Sequence, residues 1–492
     1  MSAMLSKSKI MAGLQCPKRL WLQVHHQDLA APSSSPGIRQ GNEVDAVARQ
    51  LFPGGVLIDG YSLDESLVHT AQAIAQSQPH IYQATVSAER VLIKADILSR
   101  TPDGWVLTEV KAATGVKPEH IKDVAIQFWV LRQAGVSVTK AQLAHIDTDF
   151  VYLGSGRYDG LLKVTDVTVE AAALESQVAD WIQRYRKVLS GREPICDIGP
   201  HCSTPVECEF IEYCDPYKGI QHRPDVLPRI GTEKLASWRQ RGIFEMATVP
   251  DGEISEQQRV VKRAHLEQRP VVGENLAEVL AQLPYPRFYL DFETSNPAVP
   301  RFVGMHPYQH VTFQWSCHIE RADGTVEHRE FLVPDSDDPR ERFITSMIAA
   351  VRTDGPICVW YASFEKTRLH ELAADFPPYR AALSSIVDRI VDLHPLFVEH
   401  YYDPGMNGSW SIKNVAPTLD PAMSYGSLLE IRDGGAAMEA YLVLSDSRAE
   451  PMRRADLRAQ LSAYCKHDTL AMLRLVVAAT SSRLEGYPSG AS

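Results

Sequence analysis

In the segment RFYLDFET, residues 288–293 fall into two alternating sets, and Tyr289 belongs to the set that holds the acids. One side of the alternation holds Phe288, Leu290 and Phe292, and the other side holds two carboxylates, Asp291 and Glu293. Because successive side chains of a strand point to opposite faces, this pattern predicts a β-strand with one acidic face. Adjacent carboxylates repel each other and lose hydration when buried, so the pattern also predicts a cation beside them.

A second alternating pattern predicts a hairpin. It occurs in ERVLIKADILSRTPDGWVLTEVKAATG, where two strand-like runs flank the turn residues TPDG. Leu107, Glu109 and Lys111 share one face of the second run. A two-residue turn at Pro102–Asp103 would set Asp96 directly across from Glu109, whereas a type I turn with a glycine bulge would put the two acids on opposite faces. The sequence leaves both registers open.

Two segments near the carboxyl terminus show helical periodicity. The segment ICVWYASFEKTRLHELA predicts a buried strand followed by a helix that contains Glu365. The segment LSAYCKHDTLAMLRLV predicts a helix on which Tyr464 and Asp468 stand four residues apart. Residues at this spacing share one helix face and lie about 6 Å apart along the axis. His467 is predicted to point elsewhere, either to the surface or to a position that supports the site.

Three regions are distinguishable along the 492 residues. Residues 1–218 end in a group of cysteines, residues 219–283 are polar with short helical patterns, and residues 284–492 begin at the acidic strand. This organisation predicts an α/β protein with two domains joined by a helical connector. The middle region also fits a helix–turn–helix that binds a DNA backbone, although we favour a plain connector.

Composition indicates a soluble globular protein, with 45% apolar and 23% charged residues. The net charge of −11 argues against a protein that coats nucleic acid by bulk charge, but it allows an enzyme with a local basic groove. No apolar run approaches the roughly 20 residues that cross a bilayer, and the first residues make a poor secretory signal. We therefore expect a cytoplasmic protein with no membrane partner.

The hairpin acids are candidates for metal binding. If Asp96 and Glu109 converge, they form an oxygen-rich site that suits Mg²⁺ or Mn²⁺. A metal held there lowers the pKa of bound water, and Lys111 can orient the resulting hydroxide or neutralise a phosphoryl transition state. The alternative is an exposed hairpin with an ordinary surface Glu–Lys pair.

Residues 1–218 resemble the RecB-like branch of the PD-(D/E)xK nuclease superfamily. The matching positions are Asp96, then Glu109-x-Lys111, then Gln127 in the helical segment DVAIQFWVL. The resemblance implies a restriction-endonuclease-like fold and metal-dependent cleavage of nucleic acid. It also implies that Glu43 supplies a further metal ligand from a helix. The branch frequently has His in place of Glu43, and it commonly has Tyr four residues after the glutamine, where this chain has Leu.

The chain has eight cysteines, at positions 16, 196, 202, 208, 214, 317, 358 and 465. Disulfides are rare in a reducing cytosol, so a cysteine group indicates a metal. Four thiolates suit an iron–sulfur cluster or tetrahedral zinc. Three of them are spaced C-x5-C-x5-C, with a fourth far upstream. The four residues of this set are Cys16, Cys202, Cys208 and Cys214.

This arrangement resembles the iron–sulfur staple of CRISPR-associated RecB-like exonucleases and of the AddB helicase–nuclease. The resemblance implies that the four cysteines hold a structural [4Fe–4S] cluster, with Zn²⁺ as the alternative. Cys196 could substitute for one of them, but its place in EPICDIG indicates packing. The remaining cysteines are predicted to be core thiols.

The motifs of residues 284–492 resemble, in order, the DEDD exonuclease group of the ribonuclease-H-like fold, in its tyrosine-bearing form. Asp291 and Glu293 match the first motif, and Tyr464 and Asp468 match the last. Glu365 stands where the group has Asp. The resemblance implies that the four acids hold two Mg²⁺ or Mn²⁺ ions and that Tyr464 positions the attacking water.

The segments PRFVGMHPYQHVTFQWSCH and SWSIKNVAPTL also resemble parts of an uncharacterised bacterial family that joins the two nuclease types. Asp392 and Lys413 are further site candidates, the second because it could reach a phosphate. We therefore expect a metal-dependent nuclease, more specifically an exonuclease, that acts on DNA ends or single strands in repair or defence. The alternatives are a nucleic-acid-binding or adaptor protein with degenerate sites, and an RNA-processing exonuclease.

Overall fold

A computed structural model provides the structure of the chain. It describes residues 4–31, 36–333, 335–352, 354–446 and 448–481. The chain folds into two compact units. The first comprises Met1–Lys218 with Pro297–Gln309, and the second comprises Gly219–Asn296 with His310–Ser492. The mixed α/β class predicted from the sequence is confirmed, since both units are sheets packed with helices.

The division into units differs in two places from the three regions seen in the sequence. Residues 219–283, predicted as a connector, are part of the second compact unit. The segment Pro297–Gln309 was assigned to the last region but packs within the first unit. Ala298 and Val299 of this segment join an apolar cluster with residues such as Val44 and Val110. Burial of these side chains explains why the segment leaves the unit of its flanking strands.

The first unit is built on a seven-stranded mixed sheet. Its strands are β1 (Leu5–Ser6), β2 (Val56–Leu57), β3 (His80–Ala88), β4 (Val91–Thr101), β5 (Gly104–Lys111), β6 (Val138–Ile146) and β7 (Leu162–Asp166). Its helices are α1 (Lys7–Gln15), α2 (Pro17–His25), α3 (Pro36–Leu51), α4 (Leu63–Ala75), α5 (Pro118–Gln133), α6 (Thr168–Ala173), α7 (Glu175–Ser190) and α8 (Ile211–Cys214).

The strands of this sheet run in the order β2-β3-β4-β5-β6-β7, with β1 added beside β4. Strands β3, β4 and β5 form an antiparallel meander, and β6 is parallel to β5. Parallel neighbours need a crossover connection, and α5 supplies it. Residues 123–128 of this helix, with Val130 and Leu131, are buried, because it packs against the sheet and other helices.

The β4–β5 hairpin has the two-residue turn. Thr101 pairs with Gly104, which leaves two residues in the turn. Continued along the strands, this register sets Asp96 opposite Glu109. Gly104 adopts a φ of +142°, and a Cβ at this position would lie 2.3 Å from the carbonyl oxygen of Ser137. Only glycine fits so close an approach, so Gly104 secures the turn and hence the register.

The second unit is built on a five-stranded sheet and a separate two-stranded one. Its strands are β8 (Val271–Val272), β9 (Arg287–Ser295), β10 (Val311–Glu320), β11 (Val326–Leu332), β12 (Ile357–Val359), β13 (Ile390–Asp392) and β14 (Tyr401–Tyr402). Its helices are α9 (Thr232–Gln240), α10 (Glu256–Glu267), α11 (Leu276–Ala281), α12 (Arg340–Val351), α13 (Ala362–Asp375), α14 (Arg380–Asp388), α15 (Leu393–His400), α16 (Ile412–Leu419), α17 (Gly434–Leu444) and α18 (Pro451–Thr480).

The five-stranded sheet has the order β11-β10-β9-β12-β13. The first three strands are antiparallel, while β12 is parallel to both β9 and β13. Strand β10 is buried along its whole length because α12 and α18 cover it. Phe288, Leu290 and Phe292 enter the main apolar core, as the alternation predicts. The opposite, acidic face of β9 therefore lies towards α18.

None of the helices in the described ranges combines the length and the apolar character that a bilayer crossing requires.

Candidate functional sites

One cavity of the second unit collects the predicted acids. Asp291 and Glu293 lie on β9, Glu365 lies in the first turn of α13, and Tyr464 and Asp468 lie on α18. All five side chains line the same cavity, which has a volume of about 550 Å³. Strand β12 runs beside β9 and leads into α13, so the sheet itself brings Glu365 to the acid pair.

The acids of this cavity oppose one another's ionisation. Burial, and then the Asp468 carboxylate, raise the pKa of Asp291 well above its ordinary value. Burial and then Asp291 raise the pKa values of Glu293 and Glu365 in the same way. Burial raises the pKa of Asp468 to about 6, although a hydrogen bond from Tyr425 opposes the shift. A bound cation would relieve this mutual repulsion.

The donor atoms fit a divalent cation. One ligand atom each from Asp291, Glu293 and Cys465 lie within 4.8 Å of one another. Glu365 Oε2 is buried and accepts no hydrogen bond from the described residues. Clustered carboxylate oxygens are the donors that Mg²⁺ and Mn²⁺ prefer. Cys465 was predicted to be a core thiol; it is buried, and its Sγ also lies 3.9 Å from Asp291 Oδ2.

Tyr425 belongs to this site, and the sequence patterns did not identify it. Its hydroxyl donates a hydrogen bond to Asp468 Oδ1. Its ring packs edge-on against His467, with 4.6 Å between the ring centroids. His467 Nε2 also lies 3.1 Å from the carbonyl oxygen of Met423. His467 therefore contacts the segment that holds Tyr425 rather than the acids, in agreement with its predicted supporting position.

Lys413 is the cation of the site. Among the described residues that line the cavity, it is the one with a positive charge. Its Nζ lies 5.2 Å from the ring centroid of Tyr464 and 5.5 Å from that of Tyr425. It donates a hydrogen bond of 2.5 Å to the carbonyl oxygen of Arg432. Its charge partly opposes the rise in pKa of the nearby acids.

Asp392 has a structural position. Its carboxylate accepts hydrogen bonds from the backbone nitrogens of Tyr361, Ala362 and His394, at 3.2, 3.0 and 3.1 Å. These bonds satisfy unpaired N–H groups at the starts of α13 and α15. Asp392 therefore joins two helix starts, and in doing so it holds the first turn of α13, where Glu365 lies.

A second cluster of charged residues lies in the first unit. Glu109 accepts hydrogen bonds from the side chains of Lys111 and Gln127, at 2.5 and 2.7 Å. Asp96 Oδ2 accepts a hydrogen bond from the backbone nitrogen of Val110 at 2.9 Å. The four residues predicted from the PD-(D/E)xK pattern are thus neighbours, brought together by the hairpin register and by α5.

Two members of this cluster were not found from the sequence. Lys7 Nζ lies 2.9 Å from both Glu109 and Asp123. Asp123 also contacts Lys111 at 2.7 Å and Gln127 at 3.1 Å. The spacing of Asp123, one helical turn before Gln127, is a signal that could have identified it. Lys7 comes from an amino-terminal helix that is remote in sequence and offers no such signal.

The two lysines decide which acid is ionised. Burial disfavours the charged form of Glu109, but Lys7 and Lys111 outweigh burial and lower its pKa. Burial, and then the charge of Glu109, raise the pKa of Asp96 to about 8. Glu109 is therefore already neutralised by ammonium groups, whereas at Asp96 the charges of Lys7 and Lys111 offset burial and the charge of Glu109 only in part.

Glu43 has a different partner from the one expected. It forms an ion pair of 3.0 Å with Arg301. Another acid of α3, Asp45, is connected to the cluster through Gln83. The Nε2 atom of Gln83 lies 3.3 Å from a carboxylate oxygen of Asp45 and 3.3 Å from one of Asp96. Residues 43 and 45 point in different directions on a helix. Glu43 as a metal ligand stays a prediction, and Asp45 is the acid of α3 that these hydrogen bonds link to Asp96.

Six sulfur and nitrogen donors line one small cavity of the first unit. They belong to Cys16, Cys196, His201, Cys202, Cys208 and Cys214. The ligand atoms of Cys16, Cys196 and His201 lie within 4.8 Å of one another. Cys196 was predicted to be a packing residue, and the structure instead puts it in this group. All eight cysteines are free thiols, and thiols gathered in this way fit an iron–sulfur cluster or a zinc ion.

Comparison with known proteins gives little functional information. A family model described as "Domain of unknown function (DUF2779)" matches residues 288–411. A solved structure described as "Crystal structure of SSO0001" has 13% sequence identity and a TM-score of 0.19, over 39% of this chain and 78% of that one. No curated protein matches the sequence significantly. The family match spans β9 to the start of α16, and it therefore includes Asp291, Glu293 and Glu365 but not α18.

Proposed function

We propose that the second unit is a metal-dependent exonuclease that hydrolyses phosphodiester bonds of nucleic acid, with DNA as the favoured substrate. The observation that supports this most directly is the convergence of four carboxylates and a tyrosine on one cavity. They come from a strand and two helices that are far apart in sequence. Solvated surface acids repel one another and do not cluster in this way. Clustering buried acids costs folding free energy unless a cation binds between them.

The strand order supports a ribonuclease-H-like fold for this unit. Numbered within the sheet, the order is 3-2-1-4-5, with three antiparallel strands followed by two parallel ones. The first strand is central and holds two of the acids. The DEDD resemblance implies this arrangement. The two acids on the first strand, Asp291 and Glu293, are also the acids of the first motif.

Each residue of the site has a definite task in this proposal. Asp291, Glu293, Glu365 and Asp468 would hold two divalent ions, which when bound activate water and stabilise charge on the phosphate. Burial, and then Asp468, raise the pKa of Tyr464. Its hydroxyl therefore stays protonated and can orient a water molecule by donating a hydrogen bond.

For the first unit we propose a RecB-like PD-(D/E)xK site with the same class of reaction. Asp96 and Glu109 would hold Mg²⁺ or Mn²⁺, with Lys111 beside them and Gln127 orienting Glu109. The contact of Lys7 with Glu109 favours a second candidate function for this unit, which is binding without cleavage. An ammonium group at 2.9 Å competes with a metal ion for the same carboxylate. A [4Fe–4S] cluster on the cysteine group is proposed as a structural cofactor, with zinc as the alternative.

The proposed function predicts cleavage that requires a divalent metal. Purified protein should degrade labelled single-stranded or duplex DNA in Mg²⁺ or Mn²⁺, and an excess of EDTA should abolish the reaction. RNA of the same sequence, assayed in parallel, decides between DNA and RNA processing. Products that shorten one nucleotide at a time indicate exonuclease action. Tight binding of nucleic acid without turnover in any metal would contradict the enzyme and favour a binding or adaptor protein.

Replacing Lys413 with methionine should separate metal binding from turnover. The variant loses the one cation among the described residues that line the cavity, so kcat is expected to fall by about 10- to 100-fold as negative phosphate charge loses its partner. The Mn²⁺ concentration needed for half-maximal rate should stay equal or fall, because a charge that opposes cation binding has gone. Titration of initial rates against Mn²⁺ gives both values.

Lys466→Met is the matched control for this variant. Lys466 is exposed on α18 and does not line the cavity. Its replacement should leave both kcat and the Mn²⁺ requirement unchanged. A Lys413→Met enzyme that needs more Mn²⁺ but keeps its kcat would rule out contact between Lys413 and the phosphate.

A further inference from the structure

Two exposed aromatic side chains stand at the acid cavity of the second unit. Tyr361 is 46% exposed and Phe364 is 36% exposed. Both line the cavity that contains the four acids. Phe364 immediately precedes Glu365, so a bound group that contacts this ring also lies next to a proposed metal ligand. Large exposed aromatic rings at a site are more often binding groups than parts of a core.

Each ring is supported on part of its surface by protein. The Tyr361 ring lies 3.9 Å from the His394 ring between centroids, with 31° between the planes. The guanidinium group of Arg368 lies 5.2 Å from the centre of the Phe364 ring, and His310 packs against the same ring edge-on at 6.0 Å. The rings are therefore held in position while a large part of each is open to solvent. A planar group can stack on such a ring without first ordering it.

The backbone at Tyr361 indicates that this side chain is needed. Tyr361 has φ +70° and ψ +66°, which is the left-handed region. A bulky residue is strained in this conformation, and glycine adopts it freely. The conformation is fixed by Asp392, which accepts hydrogen bonds from the nitrogens of Tyr361 and Ala362. Strain of this kind is typical of functional sites.

We propose that Tyr361 and Phe364 form a stacking platform for the terminal bases of a single-stranded nucleic acid. This inference rests on the proposed function, since the phosphodiester that follows those bases would enter the acid cavity. Tyr361 precedes the first residue of α13 and Phe364 lies in its first turn, so both rings stand at the start of this helix and line the same cavity. In a duplex the faces of a base are covered by stacked neighbours. At the end of a single strand these faces are accessible to a protein. The platform therefore selects a frayed or single-stranded end.

The test compares two fluorescent single-stranded oligonucleotides that differ only at their ends. One has bases throughout, and the other has abasic sites at the last two nucleotides of both ends. Affinity is measured by fluorescence anisotropy with Ca²⁺ in place of Mg²⁺, and cleavage is measured separately with Mg²⁺. The wild-type protein should prefer the oligonucleotide with bases by about 10-fold or more, because stacking on an aromatic ring contributes about 1–3 kcal/mol per base.

Tyr361→Ala and Phe364→Ala should each reduce affinity for the base-bearing strand and leave affinity for the abasic strand unchanged. Tyr361→Gly should lose the same preference while melting at or above the wild-type temperature, because glycine relieves the backbone strain. This variant separates loss of the ring from loss of the fold. Tyr285→Ala is the matched control: Tyr285 is 43% exposed in the same unit and does not line the cavity.

The outcome that overturns the platform is an unchanged preference for base-bearing ends in both alanine variants. An equal wild-type affinity for the two oligonucleotides would overturn it as well. A protein that binds base-bearing ends preferentially but cleaves neither strand in Mg²⁺ would contradict the proposed function alone. The binding ratio and the cleavage rate thus decide the two proposals independently.

Discussion

Replacing Asp291 with asparagine is expected to lower the rate of metal-dependent cleavage by about 1,000-fold. Asp291 contributes to the raised pKa values of both Glu293 and Glu365, so its charge acts on both of these acids. Removing its charge takes a ligand from the centre of the proposed metal site, and the loss of one such preorganised group commonly costs a factor of 10²–10³ or more. Single-turnover assays in Mg²⁺ and Mn²⁺ measure the effect.

The same substitution should stabilise the protein when no metal is present. A buried carboxylate that repels its neighbours destabilises the folded state, and asparagine has nearly the same shape without the charge. The melting temperature in EDTA should therefore rise. The increase that Mn²⁺ gives to the wild-type melting temperature should shrink, because fewer ions bind the native state. Loss of function together with a gain in metal-free stability is not expected of a merely damaging substitution.

Asp323→Asn is the control, because Asp323 is an exposed turn residue of the same unit. It should leave both the rate and the metal effect unchanged. If Asp291→Asn keeps clearly more activity than the expected remainder of about one thousandth, adding Lys111→Ala tests whether the excess comes from the first unit. Full activity in Asp291→Asn would remove the acid cavity from the mechanism.

The parts of the second unit that the sequence predicted depend on local periodicity. The alternation in RFYLDFET separated the apolar face, which enters the core, from the face with Asp291 and Glu293. Helical spacing put Tyr464 and Asp468 on one side of a helix, and both line the cavity. The direction of the side chains repeats every two residues in a strand and every 3.6 residues in a helix. A short segment is therefore enough to predict which residues share a face.

The residues that the sequence did not reveal act across long separations. Tyr425 reaches Asp468 over 43 residues, and Lys7 reaches Glu109 over 102. Neither stands in a periodic pattern with its partner. Their positions depend on where a loop and an amino-terminal helix pack, and packing is decided by the whole core rather than by neighbours in sequence.

One helix and one segment of the first unit have neighbours that the sequence patterns did not predict. The helix that contains Glu43 does face the first-unit cluster, but through Asp45, since a shift of two residues rotates a side chain by about 200°. The segment 297–309 follows β9 directly and yet packs in the first unit. Contiguity in sequence predicted the wrong unit for it because the apolar residues Ala298 and Val299 are buried with side chains more than a hundred residues away.

Cys202→Ser is expected to release the metal that we propose for the cysteine group and to destabilise the first unit strongly. The chain from residue 191 to residue 218 has one 3₁₀ turn, Pro200–Cys202, and one four-residue helix, Ile211–Cys214. Its buried apolar residues are Cys208, Phe210 and Tyr217, and the first two form a small cluster with Leu22. So little burial cannot order a segment of this length, and a bound metal would supply the missing free energy.

The expected size of this effect is large. Structural metal sites in small modules contribute about 10 kcal/mol or more, and a loss of a few kcal/mol already lowers the melting temperature by about 10 °C in a unit of this size. Iron, zinc and sulfide content of anaerobically purified protein gives the metal occupancy, and scanning calorimetry gives the melting temperature of the affected transition. Iron with visible absorbance identifies a cluster, and zinc without colour identifies a mononuclear site.

Cys358→Ala and Cys196→Ser make the experiment specific. Cys358 is a buried core thiol of the second unit, so its replacement removes a cysteine without touching the group and should leave metal content unchanged. Cys196 lies beside Cys16 and His201. The metal content of Cys196→Ser therefore shows whether Cys196 is a ligand or only a neighbour of the group. A Cys202→Ser protein with full metal content and an unchanged melting temperature would mean that Cys202 is not a ligand. Wild-type protein that holds neither iron nor zinc would mean that these thiols pack together without a metal, and the first unit would then need another source of stability at the junction of α2 with the segment after α7.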